Sequence, residues 1–386
     1  MKFNTIGIIC EYNPFHFGHL YHINEAKKIS GCENVVCIMS GSVVQRGDVS
    51  IFDKWERTRQ AVENGADLVI ELPATYSLQS ADVFAYGAVN ILHKLGVVDA
   101  LCFGAETDEL SVLSMCAEFL ADPTDRYKQT LKAQLSSGMG YPAACEYALR
   151  TAIGNVPEEV FSPNSTLAIA YLKSLILLDS KIKPYCIKRN NDYHSDVSLD
   201  GFKSATAVRD MIFSGADYSK YAPEYCDAPK YHLRNAESYI LGFFRNVSDK
   251  QLENIAGFED GLGNLLRNSA KKACTLDELF SMCTGKRYTI SRIRRFCLCA
   301  ILGITKTVDE PDYIRILGFS SSGANLIKKI KEQSPLIPVT KTADYKGSPM
   351  FDSDIRSTDF ASLCCDIVGE RYCGKDFLKS PYVKHR

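Results

Sequence analysis

The sequence has 386 residues, more than one typical hydrophobic core, so two domains are expected. With 46% hydrophobic and 24% charged residues, its composition is that of an ordinary globular protein and excludes a disordered or fibrous chain. A formal net charge of −1 means that any nucleic-acid-binding surface has to be local. No run of about 18 apolar residues and no signal-peptide core is present, so we expect a cytoplasmic protein without a membrane span.

The fifteen cysteines do not suggest a disulfide scaffold. Their number is odd, and most lie inside apolar runs such as Val36-Cys37-Ile38. They are expected to be small buried side chains in a reducing compartment. Because no CxxC pair is present, we predict no zinc site.

The stretch from Ile6 to His22, IGIICEYNPFHFGHLYH, combines a strand, a turn and the beginning of a helix. Its first five residues are apolar without alternation, which predicts a parallel strand covered on both faces. The pair Asn13-Pro14 ends that strand, and an amphipathic helix follows. Four residues gather where this helix begins: His16, Gly18, His19 and His22.

This helix start predicts a phosphate site. Free backbone N–H groups and the positive end of the helix dipole attract anions, and imidazoles add further donors. Gly18, which lacks a Cβ, would let a nucleotide approach the backbone. Two alternatives remain: a zinc set, for which a fourth ligand is missing, and ordinary core and capping residues.

Strands and helices then alternate through the first half of the chain. Apolar runs predict strands at Asn34–Ser40, Asp67–Leu72 and Val97–Phe103, separated by helices near Lys54–Glu63 and Ser80–Lys94. This order predicts an α/β fold with a doubly wound, right-handed parallel sheet. Ligands of such sheets bind at the carboxyl ends of the strands.

Several residues fall at those carboxyl ends. Gly104 directly follows the fourth strand, where it would admit a base or ribose, although a turn glycine explains it equally well. Gln45 and Arg46 lie in the loop after the second strand, which faces the same edge, and are candidates for holding a substrate. Arg189 follows a fifth strand at Lys183–Lys188, where its guanidinium would stabilise phosphates.

Two helix beginnings complete the first domain. Asn164 precedes a strongly periodic helix and is a good N-cap, which by itself would explain it. Residues 109–153, before it, are expected to be a helical insertion. The segment SATAVR, residues 204–209, opens another helix, and its hydroxyls are candidates either for capping or for binding phosphate.

These motifs carry a family resemblance. HFGH at residues 16–19 resembles the HxGH signature of the nucleotidylyltransferase superfamily, and SATAVR resembles its second signature, ISSTxxR, with Ala205 in place of one serine. The longer string GIICEYNPFHFGHLYH resembles the tRNA(Met) cytidine acetate ligases. This family uses ATP and acetate to acetylate the wobble cytidine of elongator tRNA(Met), with Mg²⁺ expected as the counter-ion of ATP.

The resemblance also implies roles for individual residues. Phosphate-stabilising catalytic residues are expected to be His16, His19, Ser204, Thr206 and Arg209. The ATP site is expected to contain Cys10, Glu11, Tyr12, Asn13, Pro14, Phe15, His16, Gly18, His19, His22, Gly104, Asn164, Arg189 and Asn190. Substrate contacts are expected from Gln45, Arg46, Arg292 and Arg295, and no protein-held metal or obligatory protein partner is expected.

Beyond residue 216 the alternation disappears. We predict a nucleotidylyltransferase domain at 1–216 and a mainly helical, tRNA-binding domain at 217–386, with a small α/β lobe near its end. Residues 279–308 carry six basic residues and no acidic one, and Arg292 and Arg295 lie away from the apolar face of a predicted helix. A solvated helix face is the other explanation.

Two other functions fit the same motifs. One is a nucleotidylyltransferase that acts on a small phosphate ester, such as phosphopantetheine or nicotinamide mononucleotide. The other is a non-catalytic RNA-binding protein regulated by a nucleotide. The length of the basic helical part argues against the first, and the nearly intact signatures argue against the second.

Overall fold

The computed structural model describes residues 4–189, 201–225 and 227–384. Within them the strands are β1 (Thr5–Cys10), β2 (Asn34–Ser40), β3 (Val43–Val44), β4 (Asp48–Val49), β5 (Leu68–Leu72), β6 (Ala100–Ala105), β7 (Lys183–Lys188), β8 (Tyr313–Phe319), β9 (Ile337–Val339) and β10 (Tyr382–Val383). The helices of the first half are α1 (Phe17–Ser30), α2 (Lys54–Glu63), α3 (Ala74–Ser77), α4 (Ala81–Leu95), α5 (Leu110–Ala121), α6 (Asp125–Ser136), α7 (Tyr141–Ile153), α8 (Pro163–Leu177) and α9 (Ala205–Ser214). Those of the second half are α10 (Glu237–Asn246), α11 (Asp249–Leu252), α12 (Leu262–Ala270), α13 (Leu276–Cys283), α14 (Ile290–Leu302), α15 (Ser321–Gln333), α16 (Pro349–Leu363) and α17 (Lys375–Leu378).

A central sheet has the strand order β10-β8-β5-β2-β1-β6-β7, and β9 pairs with β8 beside this path. The neighbours β5, β2, β1, β6 and β7 are all parallel. Parallel strands covered on both faces need continuous apolar sequences, and β2 and β5 are buried over almost their whole length.

Alternate residues of β2 enter two different cores. Val36 and Ile38 pack with α4, α5 and α8, whereas Val35, Cys37 and Met39 pack with α1, α2 and α9. Helices therefore cover both faces of the sheet. The predicted doubly wound α/β fold is confirmed.

The last part of the chain does not form the separate small lobe that we predicted. β8 pairs antiparallel with β5, and β9 and β10 pair parallel with β8. The run YIRILGF of β8 is buried along six of its seven residues and covers what would be the open edge of β5. The sheet therefore takes strands from both sides of the predicted boundary at residue 216, and it is mixed rather than wholly parallel.

The helical part has its own core, formed mainly by α10, α12, α13 and α14. Val43 and Val49, from the hairpin β3–β4 that follows β2, belong to the same core, as do Phe360 and Ala361 of α16. This core joins the helical part to the loop at the carboxyl end of β2. Within the described part of the chain, no helix is long and apolar enough to cross a membrane.

Candidate functional site

The turn between β1 and α1 is held in place by buried aromatic side chains and by a hydrogen bond. The rings of Tyr12 and Phe15 are buried and meet edge to face at 4.9 Å. Asn13 Oδ1 accepts a hydrogen bond from the Ile51 amide at 2.8 Å, and the Asn13–Pro14 peptide bond is cis. The predicted turn residues therefore fix the point at which the chain enters α1.

The side chains of His16 and His19 accept hydrogen bonds from backbone amides of the first turn of α1. His16 Nδ1 accepts the Gly18 N–H at 3.0 Å, and His19 Nδ1 accepts the His16 N–H at 3.2 Å. The two rings stack with centroids 3.8 Å apart. Because each neutral ring accepts at Nδ1, its proton lies on Nε2, which is left to donate to a ligand.

Burial keeps these histidines neutral. It lowers the pKa of His16 to about 3, and the positive charges of Arg189 and Arg209 act in the same direction. The pKa of His19 falls well below its ordinary value for the same reason, and that of His22, whose Nε2 lies 3.6 Å from Cys102 Sγ, falls to about 4. Both rings are therefore neutral hydrogen-bond donors, and Arg189 and Arg209 carry the positive charge of the site; the role of the histidines at the phosphates stays a prediction.

Two glycines make room for side chains of the site. A Cβ at Gly18 would lie 2.8 Å from Cε1 of His16, so only glycine allows His16 to cap the helix. A Cβ at Gly104 would lie 3.0 Å from both Cγ and Cδ of Arg189. The space over Gly104 is thus occupied by Arg189, and contact of Gly104 with a base or ribose stays a prediction.

The second signature docks directly on the first. Ser204 is the N-cap of α9, and its side chain accepts the Ala207 N–H at 3.2 Å. Arg209 donates to the Asn13 carbonyl at 2.6 Å and to Thr206 Oγ1 at 2.9 Å. Residues almost two hundred positions apart therefore bring two helix N-termini to the same edge of the sheet.

Asn164 does not have the predicted place in its helix. The N-cap of α8 is Ser162, and Asn164 is the second helical residue. Its Nδ2 donates to Glu106 Oε1 at 2.7 Å. Glu106 was missed from the sequence, although its position two residues after Gly104, at a strand's carboxyl end, was a usable signal.

Glu11 and Arg57 shape the loop around the predicted substrate contacts. Glu11 Oε1 accepts the Gln45 N–H at 2.7 Å, and burial raises the pKa of this carboxyl. Arg57 is fully buried and donates to the carbonyls of Glu11, at 2.6 Å, and Ser40, at 3.0 Å. No sequence signal marked Arg57, because a charged residue inside an amphipathic helix normally faces water.

Three further residues of the predicted ATP and substrate sites, Cys10, Arg46 and Asn190, are located as follows. Cys10 ends β1, and burial raises its pKa well above the ordinary value, so the thiol is not activated. Arg46 is exposed beside Gln45. Asn190 lies outside the described residues.

Two arginines of α14, which we predicted to contact phosphates, make contacts within the protein; their contact with phosphates stays a prediction. Arg292 forms an ion pair with Glu259, which lies in an earlier loop. Arg295 Nη1 donates to the Gln45 carbonyl at 3.3 Å. Since Gly47 has a φ of +76° and a Cβ there would clash with the backbone of α14, this helix is docked tightly on the loop beside the site.

The described residues contain no group of three or more His, Cys, Asp or Glu side chains that could hold a metal ion. A histidine zinc set at the start of α1 is therefore not supported by the arrangement of the side chains. Every cysteine that the structure describes is a free thiol.

Comparisons with known proteins agree with this geometry. A family model described as HIGH Nucleotidyl Transferase matches residues 3–374. A tRNA(Met) cytidine acetate ligase of Acetivibrio thermocellus is 37% identical over 97% of this chain and 99% of its own length. One from Thermoanaerobacter sp. is also 37% identical, over 98% of this chain and 99% of its own length.

The chain belongs to the tRNA(Met) cytidine acetate ligase family. A solved member, Thermotoga maritima TmcAL bound with alpha-thio ATP, is 29% identical, covers 99% of both chains and superposes with a TM-score of 0.90. The apo form of the same protein gives 0.92. The fold and the family expected from the sequence are thus confirmed.

Proposed function

We propose that this chain is a cytoplasmic tRNA(Met) cytidine acetate ligase. It forms acetyl-adenylate from acetate and ATP and transfers the acetyl group to N4 of the wobble cytidine of elongator tRNA(Met). The observation that carries the proposal is the junction of two helix N-termini, α1 and α9, by the hydrogen bond from Arg209 to the Asn13 carbonyl. Two such termini at one sheet edge suit a chain of phosphates.

In the first step an acetate oxygen bonds to the α-phosphorus of ATP, the bond to the β-phosphate breaks, and pyrophosphate leaves. The Nε2–H groups of His16 and His19 donate to phosphate oxygens, and Arg189 and Arg209 offset the charge that develops. Ser204 and Thr206 serve the β and γ phosphates. No protein nucleophile is needed, because positioning and charge stabilisation suffice for adenylyl transfer.

In the second step the N4 amine attacks the acetyl carbon, AMP leaves with the bonding electrons, and N4 releases a proton. The cytidine has to be turned out of the anticodon loop to reach this carbon. Gln45 and Arg46 lie on the loop that α14 contacts, which supports a role for them in binding a substrate. We assign acetate or the tRNA end to this loop.

Mg²⁺ enters this proposal as the counter-ion of ATP. The described residues offer no cluster of three ligating side chains, so the phosphates themselves would supply most of the oxygen ligands. When bound, the ion would supply charge stabilisation on the phosphates.

Incubation with labelled acetate, ATP and total tRNA, followed by digestion to nucleosides, tests the proposed function. The expected result is label in N4-acetylcytidine that depends on ATP and is confined to elongator tRNA(Met). Adenylylation of a small phosphate ester instead would identify a nucleotidylyltransferase. Nucleotide and tRNA binding without turnover of either substrate would identify a non-catalytic RNA-binding protein.

A further inference from the structure

The carboxylate of Glu106 caps a helix that it does not belong to. It accepts four hydrogen bonds from the first turn of α8: from the Asn164 amide at 3.2 Å, Asn164 Nδ2 at 2.7 Å, the Ser165 amide at 2.7 Å and Ser165 Oγ at 2.9 Å. Ser162, the N-cap residue by sequence position, makes no side-chain hydrogen bond to the helix. The end of β6 therefore fixes the start of α8.

This contact determines which way the Asn164 amide points. A carboxylate accepts hydrogen bonds and donates none, so the amide atom that faces Glu106 has to be Nδ2. The other atom, Oδ1, is turned away from Glu106. A free asparagine can rotate its amide and exchange the places of its oxygen and its nitrogen, but in Asn164 one N–H of Nδ2 is held by Glu106, so Oδ1 stays on the opposite side as an acceptor.

Asn164 lies beside the groups that are expected to hold ATP. Glu106 stands two residues after Gly104, and the Arg189 amide donates to the carbonyl of Ala105 at 2.7 Å. Glu106 and Arg189 are near enough for their charges to interact, and Arg189 in turn acts on all three histidines of α1. The fixed acceptor thus belongs to the same sheet edge as the phosphate-binding turns.

We propose that Glu106 is a positioning residue that locks Asn164 Oδ1 as an acceptor for a hydrogen-bond donor of the nucleotide, and so makes the site selective for that donor. The donor is either the exocyclic N6 amine of adenine or a ribose hydroxyl. Guanine presents an oxygen where adenine has this amine, so the two oxygens would repel each other. The inference rests on the proposed use of ATP by this chain.

Direct nucleotide binding, measured by calorimetry without acetate or tRNA, separates the two donors. GTP and purine riboside triphosphate lack the N6 amine, whereas 2′-deoxy-ATP and 3′-deoxy-ATP each lack one ribose hydroxyl. The wild-type protein should bind the analogues that lack the recognised donor, either the N6 amine or a ribose hydroxyl, at least about ten-fold more weakly than ATP. Equal affinity for ATP and all four analogues would overturn the proposal.

Three exchanges test the role of Glu106. Glu106→Ala removes the acceptor that holds Asn164 Nδ2, so the amide can rotate, and Asn164→Asp places two carboxylates together; each should bring the ATP affinity down to that of the discriminated analogue. Glu106→Gln keeps an oxygen for Asn164 Nδ2, and its amide nitrogen can donate to Ser165 Oγ. Its selectivity should therefore stay within about three-fold of wild type.

Glu109→Ala is a matched control, because Glu109 is an exposed carboxylate three residues along the same loop. It should leave affinity and selectivity unchanged. If Glu106→Ala lowers the melting temperature and weakens all nucleotides equally, Glu106 is only a helix cap and the proposal is wrong. Selectivity without formation of N4-acetylcytidine would instead contradict the proposed function and leave this inference standing.

Discussion

The histidine turn at the start of α1 and the arginine-rich helix α14 differ in where their partners come from. His16 is bonded to Gly18 and His19, two and three residues away. Arg292 and Arg295 are bonded to Glu259 and Gln45, which lie 33 and 250 residues away. Both regions carry side chains suited to binding phosphate. Only in the histidine turn do the hydrogen-bond partners lie within the same short segment.

This difference decides what each region offers to a ligand. The local hydrogen bonds of the histidines occupy Nδ1 and leave Nε2–H groups available. The distant contacts of the arginines each use one nitrogen of the guanidinium group, the part that would bind phosphate, and Glu259 offsets the charge of Arg292. A short motif can therefore be interpreted from its spacing, whereas a basic stretch can be interpreted only with the carboxylates that the fold brings to it.

The largest effect should follow from His16→Asn. Asparagine still caps a helix, so α1 should form, but the Nε2–H donor is lost. We expect acetate-dependent ATP–pyrophosphate exchange to fall about 10²- to 10³-fold, as when one donor to a developing charge is removed. His93→Asn, at an exposed histidine bonded to Ser180, is the control and should leave the exchange unchanged. An unaffected exchange rate in His16→Asn would remove the histidine turn from the mechanism.

The next largest effect should come from Gly47→Ala, at the contact between the loop after β2 and α14. Gly47 combines a φ of +76° with backbone atoms of Arg294 and Arg295 where a Cβ would stand. We expect a loss of about 3 kcal/mol in the free energy of unfolding in urea, the sum of backbone strain and overpacking.

Gly138→Ala supplies the matched control for the clash. Gly138 has a φ of +88° but no atom within 4 Å of the added Cβ, so it should lose only about 1 kcal/mol. Equal losses at the two glycines would show that α14 is not docked tightly on the loop.

Much of this molecule follows from short stretches of sequence. The buried strands, the turn at Asn13-Pro14 and the start of α9 at Ser204 were predictable because their causes lie within a few residues. The antiparallel pairing of β8 with β5 was not, since an apolar run does not specify its partner or direction. Arg57 and Glu259 act across long sequence separations, so no local pattern marks them.

The histidine turn should also make the protein sensitive to acid. The pKa of His16 is about 3 in the folded protein and about 6.5 in an unfolded chain, so only the unfolded chain binds a proton between these values. Above about pH 6.5 His16 is neutral in both states and does not lower the free energy of unfolding. As the pH falls below this value, protonation of His16 in the unfolded chain lowers the free energy of unfolding. The expected loss at pH 5 is about 2 kcal/mol.

Comparison with His16→Asn removes the contributions of groups that do not interact with His16. Because His16 also lowers the pKa of His19, the difference includes the part of the His19 shift that His16 causes. The raised pKa of Glu11 increases the free energy of unfolding as the pH falls. This effect is the same in the wild type and in His16→Asn, so it cancels when the two pH profiles are subtracted. Between pH 7.5 and 5, His16→Asn should lose about 2 kcal/mol less unfolding free energy than the wild type. Identical pH profiles in urea unfolding would mean that His16 is not held neutral by burial.

The smallest effect should be that of Arg292→Ala on the KM for tRNA. Because Glu259 already pairs with Arg292, we expect an increase of at most about three-fold, and none in the KM for ATP. Glu259→Gln should act in the opposite direction, since it releases both Arg292 and Arg287 for phosphates. The slope of log KM against log salt should become steeper in that variant. A ten-fold or larger increase in Arg292→Ala would instead mean that Arg292 leaves Glu259 when tRNA binds, so that the carboxylate holds the arginine ready rather than neutralising it.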